Sequence, residues 1–409
     1  MDRTAALILV LACAAARADE ASDVDVHGGT RVFVQPTSGD ALLILTPAVA
    51  GSAAVRDWLR VDVNWVADIV TGATPRTYGK AIDVVTSATS FTEVRNVFGG
   101  GAEAKLGALA LDVGYSYGRE SDYRSHQIRA GARLDLFEHN TVVAVGWAHD
   151  FDSVCDVAQS TLPLLQRQPL DRSAGCFAST PGLTEQSLAV DGIEASIAQT
   201  LTPRLVLALA GSYAHLDGFQ SSPYRRVSLD GGLLQVQESH PRLRDRGALG
   251  VRLRRAMPWG ASLGIDVRGY RDSWGITSLT GELLWDQPLG ATSPWRFAAR
   301  ARGYVQTGAF FYRDAGSADS YEKAGPVGQY FTADQELAPL ADLVLGARFI
   351  YGMHRASDDR IWGLFDTGDV TLSADWMKTF ALTPDPPNFA RTQGWATAVV
   401  VGFSLALRR

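Results

Sequence analysis

Strict two-residue alternation of bulky apolar with small or polar side chains runs through most of this chain. It constrains the fold more than any motif does. Between positions 107 and 119, Leu109, Leu111, Val113, Tyr115 and Tyr117 share one face of an extended segment, and Ala110, Asp112, Gly114, Ser116 and Gly118 share the other. The last segment sets Trp395, Thr397, Val399, Val401, Phe403, Leu405 and Leu407 against Ala396, Ala398, Val400, Gly402, Ser404 and Ala406. Such a chain folds as β-sheet, with one face apolar along its whole length.

A soluble sandwich also alternates, but three features favour a barrel in a membrane. The segments run to about 12–15 residues, against ~5–6 for an average soluble strand. Their non-apolar face mixes Gly and Ala with Arg and Asp, as a lumen wall does. Aromatic residues such as Trp65, Trp147, Tyr213, Trp285 and Trp376 fall near segment ends, where a strand crosses the membrane–water interface. The expected fold is all-β: a single transmembrane antiparallel β-barrel of about 16 strands, up to 18, with long outer loops and short periplasmic turns.

The expected strands are 57–69, 90–105, 107–119, 122–136, 140–153, 184–200, 203–216, 243–256, 259–271, 275–286, 293–308, 326–337, 341–353, 358–365, 369–380 and 394–408. Weaker segments at 28–36 and 41–50 would add two. Long connections at 70–89, 154–183, 217–242, 309–325 and 381–393 then share one side, and both termini lie in the periplasm. The short segment 358–365 is what closes this parity.

Residues 1–18 read as a signal peptide: Arg3, an apolar run Ala5–Ala16, and Ala16-Arg17-Ala18 before Asp19. Residues 19–56 are expected to be a periplasmic segment or the first two strands, and 57–409 the barrel. The expected location is the outer membrane, with its lipid, lipopolysaccharide and barrel assembly machinery as partners. A formal charge of −6 without any Lys/Arg run points away from nucleic acid.

Several unequal motifs resemble a family of Gram-negative outer-membrane proteins known as domain of unknown function 3570. They are Thr71-Gly-Ala-Thr-Pro75, Glu120-Ser-Asp-Tyr-Arg-Ser125, Asp135-Leu-Phe-Glu-His-Asn-Thr141 and Pro223-Tyr-Arg225. Further along come Glu238, Pro241, Arg244 and Arg246, then Tyr270-Arg-Asp-Ser-Trp-Gly-Ile276, and Arg302-Gly-Tyr-Val-Gln306 running to Phe311-Tyr312. The resemblance covers roughly residues 55–315. It implies an outer-membrane barrel and no particular reaction.

No phosphate loop, dinucleotide fingerprint or zinc-like spacing is visible, so neither a cofactor nor a metal is expected, and the chain does not read as an enzyme. His149 and His215 fall on the lipid-facing parity. With Ser153 or Ser212 they would offer a lipid-acting enzyme as a distant alternative; an interfacial amphipathic role is the plainer reading. Cys155 and Cys176, left after signal removal, are expected to pair in an oxidising compartment, with two free thiols as the alternative. Asp68-Ile-Val-Thr-Gly-Ala-Thr74 is echoed by Asp83-Val-Val-Thr-Ser-Ala-Thr89, which reads most plainly as β-ribbon pairing.

The same parity points Arg129, Arg133, Arg246, Arg252, Arg254, Arg268, Arg296, Arg300, Arg302 and Arg348 inward, with Arg60 and Arg204. Asp112, Asp135, Asp266 and Glu282 face inward with them, as do Asp62 and Asp342. On that list arginine outnumbers carboxylate. The expected function is a porin-like channel for small solutes with an arginine-rich, anion-favouring lumen. A closed structural or surface-interaction barrel is the alternative, its arginines bridging to carboxylates.

Overall fold

The computed structural model describes residues 24–36, 41–72, 91–159, 161–170, 181–229, 233–290, 292–313, 321, 328–332, 334–353, 361, 365–382 and 395–408. Sixteen strands close into an antiparallel barrel. They are β1 (Val24–Pro36), β2 (Ala41–Arg56), β3 (Leu59–Gly72), β4 (Phe91–Leu106), β5 (Leu109–Arg119), β6 (Tyr123–Leu136), β7 (Thr141–Val157), β8 (Leu183–Thr202) and β9 (Leu205–Gly218). After a small hairpin of β10 (Arg226–Leu229) and β11 (Leu234–Gln237) come β12 (Leu243–Ala256), β13 (Ser262–Asp272), β14 (Thr277–Pro288) and β15 (Trp295–Gln306). The last three are β16 (Leu340–Gly352), β17 (Thr367–Ala381) and β18 (Trp395–Arg408). β1 pairs with β18, so the sheet has no free edge, as a membrane requires of a strand-built span. Among the described residues no helix is long and apolar enough to cross a membrane.

The alternation becomes an inside and an outside. Outward-facing side chains such as Val113 (59% exposed) and Leu249 (65%) form an apolar belt around the barrel. A water-soluble protein would bury such a surface; here the hydrocarbon of a bilayer is its match.

One expected strand is not a strand. Segment 326–337 belongs to the connection between β15 and β16, where Phe331 bridges Ser239 and a single 3-10 turn spans Gln335–Leu337. Of its described residues, Phe331 is fully buried in a cluster with Val227, Leu229 and Val236 of the β9–β12 connection and Leu337 in one with Trp274 and Phe311, a burial that imitates the signature of a lipid-facing strand. In 358–365 the described residues, Ile361 and Phe365, make only an isolated bridge. The two weaker segments, 28–36 and 41–50, are β1 and β2, and the barrel has sixteen strands, with the five expected long connections on one side. The connections after β3, β7, β9, β15 and β17 leave from one end of the barrel, called here the outer end. The 353–366 connection is the long one at the other end, where β1 begins at Val24 and β18 ends at Arg408.

At that inner end the turn after β6 runs through Phe137, Glu138 and His139 with φ of 52°, 59° and 66°, a left-handed path that non-glycine residues seldom follow. Asn140 steadies it, its Nδ2 donating to the Phe137 carbonyl at 2.8 Å.

Candidate functional site

The inner wall carries charge, and glycines let that charge lie flat. Arg129 on β6 pairs in register with Gly114 on β5, where any Cβ would collide with its guanidinium. Arg129 thereby crosses β5 and comes within 3.8 Å of Asp62 on β3. Arg254 lies over Gly264, where a Cβ would sit 2.9 Å from Nη1, and its Nη2 donates to Asp266 at 2.8 Å. Arg300 crosses β16 at Gly346 to reach Asp375 on β17, and its Nη1 lies 3.8 Å from Glu282. Asp112 similarly occupies the space over Gly131. The side chains of Arg129, Arg254 and Arg300 remain 49%, 40% and 38% exposed despite their partners.

Of the other inward arginines, Arg133 approaches Asp135 at 3.7 Å and Glu103 at 4.0 Å, Arg296 binds Asp286 at 2.7 Å, and Arg60 binds Asp25 at 3.0 Å. Arg204 lies in the turn between β8 and β9. Arg246, Arg252, Arg268, Arg302 and Arg348 make no ion pair with a described residue. Directly paired residues share a face of a sheet, and that rule adds carboxylates absent from the sequence list. Glu103 pairs with Arg60, Asp150 with Gln127, Glu194 with Gly146, Asp286 with Ser262 and Asp375 with Gly346. The arginine excess is therefore local, not general. Unpaired arginine gathers on β12, β13, β15 and β16, whereas Asp112, Asp150 and Glu194 face in from β5, β7 and β8.

At the outer end the described residues of the connections after β7, β9, β13 and β15 fold into a cap. Val227, Leu229, Val236, Tyr321 and Phe331 form one buried cluster, and Trp274, Ile276, Ala309, Phe311 and Leu337 another. Between them sits the fully buried carboxylate of Glu238. It accepts the Ser222 amide at 2.7 Å and the Thr332 hydroxyl at 2.6 Å, and lies 3.2 Å from Nε2 of His240. Burial pushes this carboxyl up. The hydrogen bond and charge of His240, with Arg225 and Thr332, outweigh that and hold it below its ordinary value. Arg225 also bonds Asp334. Arg244 donates through Nε to Asp272 at 2.9 Å with its guanidinium 3.9 Å from the centre of the Trp274 ring, and Trp274 donates to the Leu243 carbonyl at 3.1 Å. Tyr224 donates to Asp122 and Tyr123 to Asp152. The sequence offered no cap site, yet Asp122, Tyr123, Tyr224, Arg225, Glu238, Arg244, Asp272 and Trp274 lie in the motif pieces that carry the family resemblance.

The histidines of the enzyme alternative meet carboxylates on the outer face: His149 Nδ1 lies 2.8 Å from Asp191, and His215 Nδ1 lies 2.8 Å from Asp245. The four form one cross-strand row, His149–Asp191–His215–Asp245. Ser212 takes the opposite parity to His215, pairing with Ala248 and Glu194 on the inner face. Ser153 lies four residues beyond His149 along β7, at the Arg124 and Ser187 positions. Among the described residues no cluster of metal-ligating side chains occurs. Cys155 is fully buried against Leu170. Cys176, the signal peptide and the second copy of the Asp–Thr echo lie outside the described residues; in the first copy, Asp68 accepts the Thr46 hydroxyl at 2.8 Å.

A family model described as "Protein of unknown function (DUF3570)" matches residues 38–358. No curated protein matches. Among solved structures, the chain is similar to a bacterial polysaccharide outer membrane secretin, with 11% identity over 95% of this chain and 98% of that one, and a TM-score of 0.45. It is similar to the outer membrane protein OpdK from Pseudomonas aeruginosa, with 7% identity over 95% and 99% and a TM-score of 0.47. It is also similar to OccK2 (OpdF) of Pseudomonas aeruginosa in complex with glucuronate, with 10% identity over 95% and 98% and a TM-score of 0.44. Likeness at this level carries no argument about function.

Proposed function

The chain belongs to the protein family of unknown function DUF3570, and on that premise we propose that it is a channel for small solutes in the outer membrane. One observation carries the reading: the inner-wall charges are laid over glycines and stay substantially exposed instead of meeting across the tube. A barrel of about sixteen strands is wide enough for a water-filled passage. Lipid and lipopolysaccharide meet its apolar belt, and the assembly machinery inserts it after export.

The inner wall supports solutes of either sign. Arginine without an ion pair to a described residue, on β12, β13, β15 and β16, is set against the carboxylates of β5, β7 and β8, so a solute crosses a field directed across the tube, not a uniformly positive one. Liposome swelling tests the reading: vesicles carrying the protein should swell in isotonic arabinose, and vesicles that do not swell would favour the closed barrel. That second reading has its own observation, the packed cap around Glu238, which would then be the working surface.

A further inference from the structure

The inner face is largely small or polar, with Val66, Val97, Val190 and Leu284 among its scattered apolar side chains, and four bulky apolar side chains line up at the outer end of the β18–β3 wall. There Val400, Phe33, Ile44 and Val70 stand in one cross-strand row, each paired in register with the next. Four bulky apolar side chains in a row on a wet wall cost about 25 cal/mol for every Å² left to water, so the row gains by being covered. One step toward the middle of the barrel lies a polar row. Arg31 pairs with Thr46, the Thr46 hydroxyl donates to Asp68 at 2.8 Å, and Asp68 pairs with Arg95. Arg95 is engaged by Glu120 at 3.4 Å. Arg31 is exposed and makes no ion pair with a described residue. The two rows line a cavity of about 550 Å³, within the ~300–1,000 Å³ usual for small-molecule sites.

We propose that this cavity binds a small carboxylate with an apolar body. The carboxylate takes the Arg31 guanidinium, whose fork of donors fits it in bidentate fashion. The body covers Phe33, Ile44, Val70 and Val400. Asp68, already held by Thr46, keeps a lone pair for a hydroxyl or ammonium on the same molecule. It also repels a ligand carrying a second negative charge on that side. The site rests on the channel reading only in needing an inner face open to solutes, so binding and conductance can fail separately.

The test is calorimetric titration of the detergent-solubilised full-length protein with phenylacetate, using hexylamine as a probe of similar apolar bulk and opposite charge. Phenylacetate should bind at least tenfold more tightly than hexylamine, and Arg31→Gln should weaken it at least tenfold. Phe33→Ser should weaken both probes. Retained heat-modifiable migration of each variant shows that the barrel has formed. If either variant does not form a barrel, the comparison of the two probes on the wild type still decides. Equal binding of the two probes, unchanged binding by Arg31→Gln, or no binding of phenylacetate at millimolar concentration would each overturn the proposal. Binding without vesicle swelling would overturn the channel and leave the site standing.

Discussion

Arg300 on β15 and Asp375 on β17 are bonded across the strand that separates them, Nη2 to Oδ2 at 2.7 Å, through the gap left by Gly346. The glycine is what permits the bridge, because a Cβ there would meet both partners. The relationship turns a sequence of small and charged residues into a tube whose charges hug its wall.

Gly346→Leu should lift Arg300 off the wall and toward the axis. The overpacking costs about 1–3 kcal/mol, which a barrel of this size tolerates. Single-channel conductance should fall while heat-modifiable migration persists. Unchanged conductance would mean that this part of the wall does not bound the passage.

Asp272→Ala leaves Arg244 buried without its carboxylate. Removing one partner of a buried pair costs about 3–5 kcal/mol, and here the loss falls on the cap, since Asp272 also accepts the Ile276 amide at 2.9 Å. Limited proteolysis should cut the 219–242 connection faster in the variant, with the barrel strands still protected.

The cap should loosen in acid. Glu238 is held below its ordinary carboxylate value in the folded protein. Its contribution is therefore fully present above the ordinary range and is lost as pH falls through the depressed folded value. Protease resistance of the cap should follow that course, and Glu238→Gln should flatten it. An unaltered acid profile in the variant would place the titration elsewhere.

Much of this was legible in the sequence, because period-two alternation survives wherever lipid faces one side. The strand number and the side of the five long outer connections followed from it, whereas 353–366 is a long connection on the side expected to hold short turns. β1 and β2 were faint because Gly28, Thr30, Pro47 and Gly51 dilute the apolar face. Segment 326–337 misled because burial inside a cap and exposure to lipid select the same side chains. Wall parity could be read, but ion-pair partners such as Asp286 and Asp375 could not, since register joins residues far apart in the chain. The Glu238 cluster gave no local signal beyond the family motifs, its partners coming from connections about a hundred residues apart.

Cys155 should be oxidised with Cys176. Closing a loop of about 20 residues is worth roughly 3 kcal/mol in the chain-entropy account. Denatured, unreduced protein should take up no maleimide on either residue, and labelling of both would refute the bridge.

The central claim, a passage through the barrel, is tested most directly by inserting purified protein into a planar bilayer between unequal KCl solutions. Discrete conductance steps should appear, with a reversal potential close to zero, because the inner wall sets carboxylates against its arginines. A bilayer that stays silent after verified insertion would contradict the channel, and a strongly displaced reversal potential would contradict the balanced wall.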